Sequence, residues 1–313
     1  MPDQNAAVRI LLVVNSSASS VTARGRVVIQ KALSADHEVT LAETTRRGNA
    51  TRVTRSAAAA GTELVVVLGG DGTLNEAANG LVGTDCALAT LPGGSTNVFA
   101  RTLGLPNDPV EATGSLLDAL ERGSIRPVGL GSVNGRHFLF HTGVGFDAAV
   151  VARVEKRAAL KRYAGHPLFI WAALTTWARD YDRKRPHFSV HLPDGTTVDD
   201  GYFTLVQNTD PYTFLGNRPL HVTDAAGLEA PLTALTLRTL GLPTVLGVIG
   251  TALGFGLGKE IDSFRHVDQR AGLESLTITS DVPFPYQVDG DHLGEVTELE
   301  FRHEPDAIRL VIP

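Results

Sequence analysis

The sequence predicts a doubly wound α/β domain followed by a domain built on an antiparallel β-sandwich. In the first 130 residues, apolar strand-like runs alternate with helical segments, the pattern of a parallel sheet with crossover helices. Three loops in this region, each following a predicted strand, are rich in glycine, serine or threonine, and ligands bind at such strand ends in open α/β sheets. Beyond this region, several short segments alternate as strands do, and a Pro193-Asp194-Gly195 turn stands between two of them.

Each element of the first region has its own signal. Runs of valine, isoleucine and leucine predict buried strands at 8–14, 38–43, 64–68 and 87–91. Apolar or alanine residues at helical spacing predict helices at 24–33, 50–60, 74–81 and 109–122. Thr73 is the expected cap of the third helix, and Asp108 caps the fourth, with Pro109 at its first position.

The second region is predicted to hold strands at 136–141, 187–192, 202–207, 275–280, 284–288 and 296–302. A helical stretch is predicted between the first two of these strands, at 146–181. It contains, or is directly followed by, Arg153, Lys156, Arg157, Lys161, Arg162, Arg179, Arg183, Lys184 and Arg185. These side chains indicate a solvated basic face or, alternatively, a surface attracted to anionic membrane.

Residues 239–258 carry no charge, and this uncharged segment is nearly as long as a membrane-spanning helix. Pro243 and six glycines dilute their hydrophobicity, so a spanning helix is not expected. Val245, Ile249 and Leu253 recur every fourth residue, as on one face of a helix. A core helix and a surface that touches lipid both fit this pattern.

Composition limits the function classes. The 313-residue chain has a net charge of −6, which argues against a general nucleic-acid binder. Its one cysteine, Cys86, excludes an internal disulfide and fits a reducing compartment. The polar start MPDQNAAVRI does not resemble a secretory signal. We therefore expect a cytoplasmic protein, with peripheral contact at the inner membrane face as an extension of that expectation.

The stretch after the third strand, LGGDGTLNE, carries the first chemical signal. Gly69, Gly70 and Gly72 allow the backbone to turn sharply and a ligand to approach it closely. A glycine turn leading into a helix N-terminus suits a phosphate. Asp71 would repel phosphate unless a cation lay between them, so the stretch predicts a magnesium–nucleotide site.

Three further motifs follow this stretch along the chain. Pro92-Gly93-Gly94-Ser95-Thr96-Asn97-Val98-Phe99-Ala100-Arg101, Gly143-Val144-Gly145-Phe146-Asp147-Ala148 and Gln287-Val288-Asp289-Gly290-Asp291 follow in order. Together with GGDGT and Asn75-Glu76, they resemble the catalytic domain of diacylglycerol and sphingosine kinases, in the bacterial soluble lipid kinase form.

The resemblance implies a Rossmann-like N-terminal domain, of the type shared by NAD kinases and diacylglycerol kinases, and a C-terminal β-sandwich. The first domain would span 1–130 with a returning strand near 303–313. The second, at 131–302, would contribute to the lipid and catalytic cleft. The implied reaction transfers the γ-phosphate of Mg-ATP to a lipid hydroxyl, most simply that of diacylglycerol, giving phosphatidic acid for phospholipid biosynthesis.

The resemblance also implies site residues. ATP and Mg²⁺ are the implied cofactors, and Asp71 the residue acting through the metal. The implied nucleotide-binding residues are Asn15, Ser16, Ser17, Thr44, Gly69, Gly70, Asp71, Gly72, Thr73, Asn75, Gly94, Ser95 and Asn97. The implied partner is a lipid substrate at a membrane surface. We expect no nucleic-acid partner and no transmembrane segment, and the sequence leaves the oligomeric state open, with a homodimer as one alternative.

The catalytic carboxylates near the C-terminus have two interpretations. Asp291 stands where the family places its general base, normally a glutamate. Within a strand, Asp289 and Asp291 would project to the same face, and Asp289 is the third catalytic candidate beside Asp71. Alternatively, Asp289-Gly290 is a hairpin turn, for which Asp-Gly is a strong signal.

Three positions depart from the family pattern. Val98 and Gly129 stand where the family has aspartates of the metal and phosphate network. Ala226 replaces the aspartate of a structural magnesium site, so we expect no structural Mg²⁺ there. These departures leave open a catalytically weak protein that binds nucleotide or lipid. An NAD kinase-like enzyme with a non-lipid acceptor is the other alternative, because NAD kinases share the GGDGT motif, although Asn75-Glu76 and the PGGSTN loop favour a lipid kinase.

Overall fold

The computed structural model describes residues 7–156, 168, 171–255 and 260–313. The chain divides into two compact units. Unit 1 comprises Met1–Leu130 and Pro305–Pro313, and unit 2 comprises Gly131–Glu304. An α/β unit accompanied by an antiparallel, strand-rich unit confirms the predicted fold class.

Unit 1 is built on a parallel sheet. Its strands are β1 (Arg9–Asn15), β2 (Glu38–Thr44), β3 (Leu64–Gly69) and β4 (Ala87–Pro92). They lie in the order β2-β1-β3-β4. Near the C-terminus, Arg309 and Leu310 pair in parallel with Ala87 and Leu88. All residues of β3 and β4 are buried, as expected for strands covered on both faces.

The helices of unit 1 are α1 (Ala23–Leu33), α2 (Asn49–Ala59), α3 (Asp71–Leu81), α4 (Val98–Thr102) and α5 (Pro109–Glu121). Helix α1 packs on α5, and α2 packs on α3. The side chain of Asp108 caps α5 by accepting from the amides of Val110 and Glu111, as predicted. The predicted start of α3 was wrong, because its N-cap is Gly70 and the Thr73 hydroxyl bonds to Asn15 instead.

Twelve further strands lie in unit 2 or at its ends, among the described residues. They are β5 (Ile125–Val133), β6 (Arg136–Phe138), β7 (His141–Gly145), β8 (Phe188–His191), β9 (Thr197–Gly201), β10 (Phe203–Gln207), β11 (Thr213–Leu215), β12 (Arg218–Leu220), β13 (Leu232–Leu237), β14 (Val267–Leu273), β15 (Ser275–Val288) and β16 (Asp291–Val311). The main antiparallel order is β14-β13-β10-β7-β15-β16. Strand β8 pairs with β15 on one side and β9 on the other.

Several strands of unit 2 differ from the prediction. The Pro193-Asp194-Gly195 turn joins β8 to β9, whereas the sequence pattern predicted that the next strand would be 202–207. Strand β9 was missed. Strand β15 is continuous where two strands were predicted. Strands β7, β13 and β14 were also missed: β13 is buried throughout and β14 lacks clear alternation, so neither shows a period of two.

The helices of unit 2 agree better with the sequence. Among them are α6 (Phe146–Glu155), a π-helix (Thr176–Asp180), α7 (Leu242–Ala252) and a 3₁₀ turn (Ile261–Ser263). Helix α6 confirms the start of the predicted helical stretch, whose residues 157–167 and 169–170 lie outside the described residues. Among the helices that the structure describes, none has the length and apolar character needed to cross a membrane.

Candidate nucleotide and catalytic sites

The three loops that follow β1, β3 and β4 meet in unit 1. The amide of Gly93 donates to the carbonyl of Gly69 at 2.8 Å, and the amide of Ser20 donates to the carbonyl of Gly93 at 2.9 Å. Asn15 Nδ2 donates to Thr73 Oγ1 at 2.9 Å. The loops expected to bind nucleotide therefore form one continuous, hydrogen-bonded surface at the carboxyl end of the sheet.

Glycines are required where two of these loops touch. A Cβ added to Gly94 would lie 2.8 Å from the Cα of Gly70, and one added to Gly93 would lie 2.8 Å from the Cα of Gly69. Real Cβ atoms do not approach backbone atoms so closely. The glycine content of the motifs thus allows backbone to lie directly against backbone and leaves main-chain groups at the surface for a ligand.

Helix α3 begins at this junction. Gly70 is its N-cap in an extended conformation, and no side-chain hydrogen bond caps this helix end. The first turn of a helix carries unsatisfied amides and the positive end of the helix dipole. This end of α3 is thus suited to a phosphate group, as the sequence pattern predicted.

The carboxylate of Asp71 has a structural role that the sequence did not reveal. Its Oδ2 accepts the amide of Val98 at 3.0 Å, and its Oδ1 accepts the amide of Phe99 at 3.1 Å. Asp71 thereby caps the N-terminus of α4 from another element.

Asn97 holds the second glycine loop in shape. Its φ is 51°, in the left-handed region, and its side chain is buried. Oδ1 accepts the amide of Gly94 at 2.7 Å, and Nδ2 donates to Asn107 Oδ1 at 2.9 Å. Asn107 was missed by sequence reasoning, because nothing in its local pattern separates it from an ordinary loop asparagine.

The other predicted nucleotide residues fall into two groups. Thr44 ends β2 beside Asn15 in register, and its buried hydroxyl donates to the carbonyl of Val14 at 3.4 Å. Ser16, Ser17 and Ser95 are exposed in their loops, where they are accessible to a ligand.

Asn75 and its neighbour Glu76 lie within α3. Asn75 is buried. The carboxylate of Glu76 accepts the amides of Gly48 at 2.8 Å and Ala50 at 3.1 Å, and so satisfies the first turn of α2. The Asn-Glu pair after GGDGT therefore includes a residue that joins two helices of unit 1.

In unit 2, Asp289 and Gly290 form a two-residue hairpin turn. Their φ values are 47° and 81°, and Val288 pairs directly with Asp291 across the turn. Two positive φ values are typical of the turn favoured by Asp-Gly. The turn interpretation is confirmed. The expectation that Asp289 and Asp291 share a face of one strand was wrong, because Asp289 lies in the turn itself.

The buried carboxylate of Asp289 organises the segment before β7. Oδ2 accepts the amide of Leu139 at 2.8 Å, while Oδ1 accepts the amides of Phe140 at 3.0 Å and His141 at 3.1 Å. The amide of Asp289 donates to the carbonyl of His141 at 2.9 Å. These bonds hold the turn, and with it the start of β16 at the half-buried Asp291, in one position.

A second carboxylate supports the same turn. Gln287 Nε2 donates to Asp147 Oδ2 at 2.8 Å, and Gln287 Oε1 accepts the amide of Gly290 at 2.7 Å. Tyr212 Oη donates to Asp147 Oδ1 at 2.6 Å. Burial raises the pKa of Asp147, and these two hydrogen bonds offset part of that rise. Gly143 must be glycine here, because its Cβ would lie 1.8 Å from Asp147 Oδ2.

The three departures from the family pattern lie in different surroundings. Val98 is buried in the first turn of α4, Gly129 lies in β5, and Ala226 lies in a loop. Within the described ranges, no group of three or more His, Cys, Asp or Glu residues could hold a metal ion. The expectation of no structural Mg²⁺ at Ala226 stays a prediction.

The chain is similar to known proteins over nearly its whole length. The family model of the diacylglycerol kinase catalytic domain matches residues 9–133. A Pseudomonas aeruginosa (strain UCBPP-PA14) protein named "Probable lipid kinase YegS-like" is 29% identical over 322 residues, covering 97% of this chain and 94% of the relative. The "Diacylglycerol kinase" of Bacillus subtilis (strain 168) is 38% identical over 120 residues, 38% of this chain and 39% of that protein.

Solved structures show the same fold. A crystal structure of a diacylglycerol kinase from Bacillus anthracis str. Sterne aligns with a TM-score of 0.69 and 20% identity over 97% of both chains. A second structure from that organism gives a TM-score of 0.76 with 22% identity, again over 97% of both chains. With the order of the motifs, the match of the family model shows that residues 9–133 belong to the diacylglycerol kinase catalytic-domain family.

Proposed function

We propose that this protein is an ATP-dependent lipid kinase that phosphorylates the hydroxyl of diacylglycerol and yields phosphatidic acid. The observation that carries the proposal is the backbone contact of Gly70 with Gly94 at the uncapped start of α3. That junction lies within residues 9–133, which match the diacylglycerol kinase catalytic domain. The names of the relatives supply the lipid acceptor.

The residues at the junction suit ATP. The glycine surface that any Cβ would fill, together with the helix N-terminus, would hold the phosphates. Asn15, Thr44 and Ser95 would line the rest of the nucleotide site. Asp71 would hold Mg²⁺, a cation that proteins commonly bind through one or two carboxylates plus substrate phosphates. Bound there, Mg²⁺ would neutralise charge on the phosphates.

We assign proton removal to Asp291. The acceptor hydroxyl attacks the γ-phosphorus in line, its proton passes to the carboxylate of Asp291, and ADP leaves with the electrons of the broken bond. Asp289, whose carboxylate is engaged by three amides, acts as a positioning residue for the turn that precedes Asp291.

Diacylglycerol resides in bilayers, so the proposal includes action at a membrane surface on the cytoplasmic side. The most direct test offers radiolabelled ATP and Mg²⁺ to the protein with diacylglycerol, with other lipid hydroxyls and with NAD. We expect label in phosphatidic acid. Label in NADP would replace the proposal with an NAD kinase-like function.

The catalytically weak alternative has its own observation in favour: Val98 is buried and apolar, and Gly129 has no side chain, at two positions where the family has aspartates. Nucleotide binding by calorimetry with no transfer to any lipid of the panel would support this alternative. An Asp291→Asn variant, which retains the glycine loops, is the matched control for residual label.

A further inference from the structure

Helix α7 has an inner face that is part of the core of unit 2. Ala252 is buried, and Val245 and Val248 pack against a cluster that includes Leu205 and Leu235. The helix approaches this core closely at Gly247, where an added Cβ would lie 2.5 Å from the ring of Phe264. The inner face is therefore packed into the core of unit 2.

The opposite face of α7 is also apolar, and it is exposed. Leu242, Leu246 and Ile249 are 50%, 60% and 46% exposed, and Phe255 just beyond the helix is 60% exposed. Residues 242, 246 and 249 follow helical spacing, so these side chains line one side. We call Leu242, Leu246, Ile249 and Phe255 the outer apolar face.

An apolar helix with one face in the protein core and the other exposed is unusual for a surface helix, which ordinarily turns polar residues outward. No charged residue occurs from 239 to 258, and the polar side chains of the helix are limited to Thr244 and Thr251, so no charged face exists to turn outward. The helix has 11 residues and is roughly 16 Å long, about half of the thickness of a bilayer core. Such an element can lie in a membrane interface but cannot cross it.

The size of the outer apolar face favours a lipid surface over a second protein chain. Four side chains about half exposed form a patch of a few hundred Å². A stable protein–protein interface needs about 800 Å² from each partner. A bilayer has no such minimum, because it accepts each apolar side chain separately.

A positively charged side chain, Arg218, lies at the end of the outer apolar face. The guanidinium of the exposed Arg218 lies over the ring of Phe255, 4.7 Å from its centroid. An arginine beside an aromatic ring that enters the acyl region can reach the phosphates of the lipid head groups. The outer apolar face therefore suits the acyl chains of a bilayer, and the adjacent Arg218 suits anionic head groups.

We propose that α7 docks this protein on the surface of an anionic bilayer, with the outer apolar face among the acyl chains and Arg218 at the lipid phosphates. The inference rests on the proposed function in one respect: a substrate that resides in the bilayer gives the protein a reason to bind a membrane. It assigns the contact to one helix of unit 2 and to five named side chains.

The test measures flotation of the full-length protein with vesicles of phosphatidylcholine, with and without phosphatidylglycerol, in the absence of ATP. Ile249→Glu is matched by Val27→Glu in α1, because the two residues are 46% and 47% exposed and both lie on helices. We expect Ile249→Glu to lower vesicle binding about tenfold or more and Val27→Glu to change it less than about twofold. Arg218→Gln should weaken binding only where phosphatidylglycerol is present.

Equal vesicle binding by wild type and Ile249→Glu, with unchanged melting temperatures, would overturn the proposal. So would a wild-type dimer that Ile249→Glu converts to a monomer, as seen by light scattering, without loss of vesicle binding. Kinase activity is scored separately on dispersed short-chain diacylglycerol, where docking is not needed. A wild type that binds vesicles through α7 but transfers no phosphate would disprove the proposed function and leave the docking surface standing.

Discussion

At the scale of single residues, two aspartates of the motifs act as acceptors for backbone amides. Asp71 accepts two amides at the start of α4, and Asp289 accepts three before β7. Buried amides without partners are costly, so each carboxylate stabilises its surroundings whatever its part in catalysis. Because the architectural role of both aspartates is visible in the structure, substitutions that test the proposed chemical role must separate the two.

Asp71→Asn should lower both stability and turnover. The new amide group can accept only one of the two amides from Val98 and Phe99, so about 1–3 kcal/mol of unfolding free energy is lost. Glu76→Gln is the matched control, because Glu76 also accepts two amides at a helix start. Urea unfolding and turnover are measured for both. If Glu76→Gln lost stability and turnover to the same extent as Asp71→Asn, a special chemical role for Asp71 would be disproved.

Asp291→Asn should reduce turnover by about 10²–10⁴ with nucleotide affinity nearly unchanged, because the amide cannot accept the proton. Asp291→Glu should keep or gain activity, since the family normally has a glutamate at this position. Gly290→Ala should instead lower the melting temperature, because its φ of 81° is strained for a residue with a Cβ. Full activity in Asp291→Asn would end the general-base assignment and leave only the turn.

At the scale of elements, the glycine loops after β3 and β4 form one unit because their backbones touch. The 2.8 Å approach of a Cβ on Gly94 to the Cα of Gly70 means that even a methyl group must push the loops apart. This contact, and not the flexibility of glycine alone, explains why both motifs are rich in glycine, although they lie 20 or more residues apart in the chain.

Gly94→Ala should lower ATP affinity by about tenfold or more, because the displaced loops no longer present their amides together. Gly114→Ala in α5 is the matched control in the same unit. A Cβ at Gly114 meets no atom within 4 Å, so alanine there should raise stability by about 0.5–1 kcal/mol. Calorimetric ATP titration decides the matter. An unchanged affinity in Gly94→Ala would place the phosphates elsewhere.

At the scale of the whole molecule, the buried polar groups of unit 2 make stability depend on pH. His141 is buried with its ring against Tyr212, and burial lowers its pKa from 6.5 to about 3. Between these values the unfolded chain binds a proton that the folded chain does not. His141 therefore lowers stability as pH falls below 6.5, by up to about 1.4 kcal/mol per pH unit.

Asp147 acts in the opposite sense, because burial raises its pKa. Its stabilising contribution is present at low pH and is lost as the pH rises through the pKa of the folded state.

Because buried His141 lowers stability as the pH falls, His141→Phe should flatten the fall in unfolding free energy between pH 7 and pH 5, measured by urea unfolding. The imidazole of His141, followed by NMR, should not titrate above about pH 4. A normal titration near pH 6.5 would contradict its burial.

The sequence alone determined the α/β order of unit 1 and the places of its glycine loops, because each depends on near neighbours in the chain. Strand runs, helix spacing and glycine turns are local signals, and they remain readable without the fold. Even there, α4 was missed, since five residues are too few to show a helical period.

Only the tertiary structure decided which polar groups meet. Gln287 and Asp147 bond across 140 residues of chain, and Asp289 reaches amides about 150 residues away. It also decided which side of α7 is exposed, since Val245 and Leu246 are equally apolar in sequence and differ only in what packs on them. Long-range hydrogen bonds and burial follow from topology, and no local pattern of residue types encodes the partner that topology supplies.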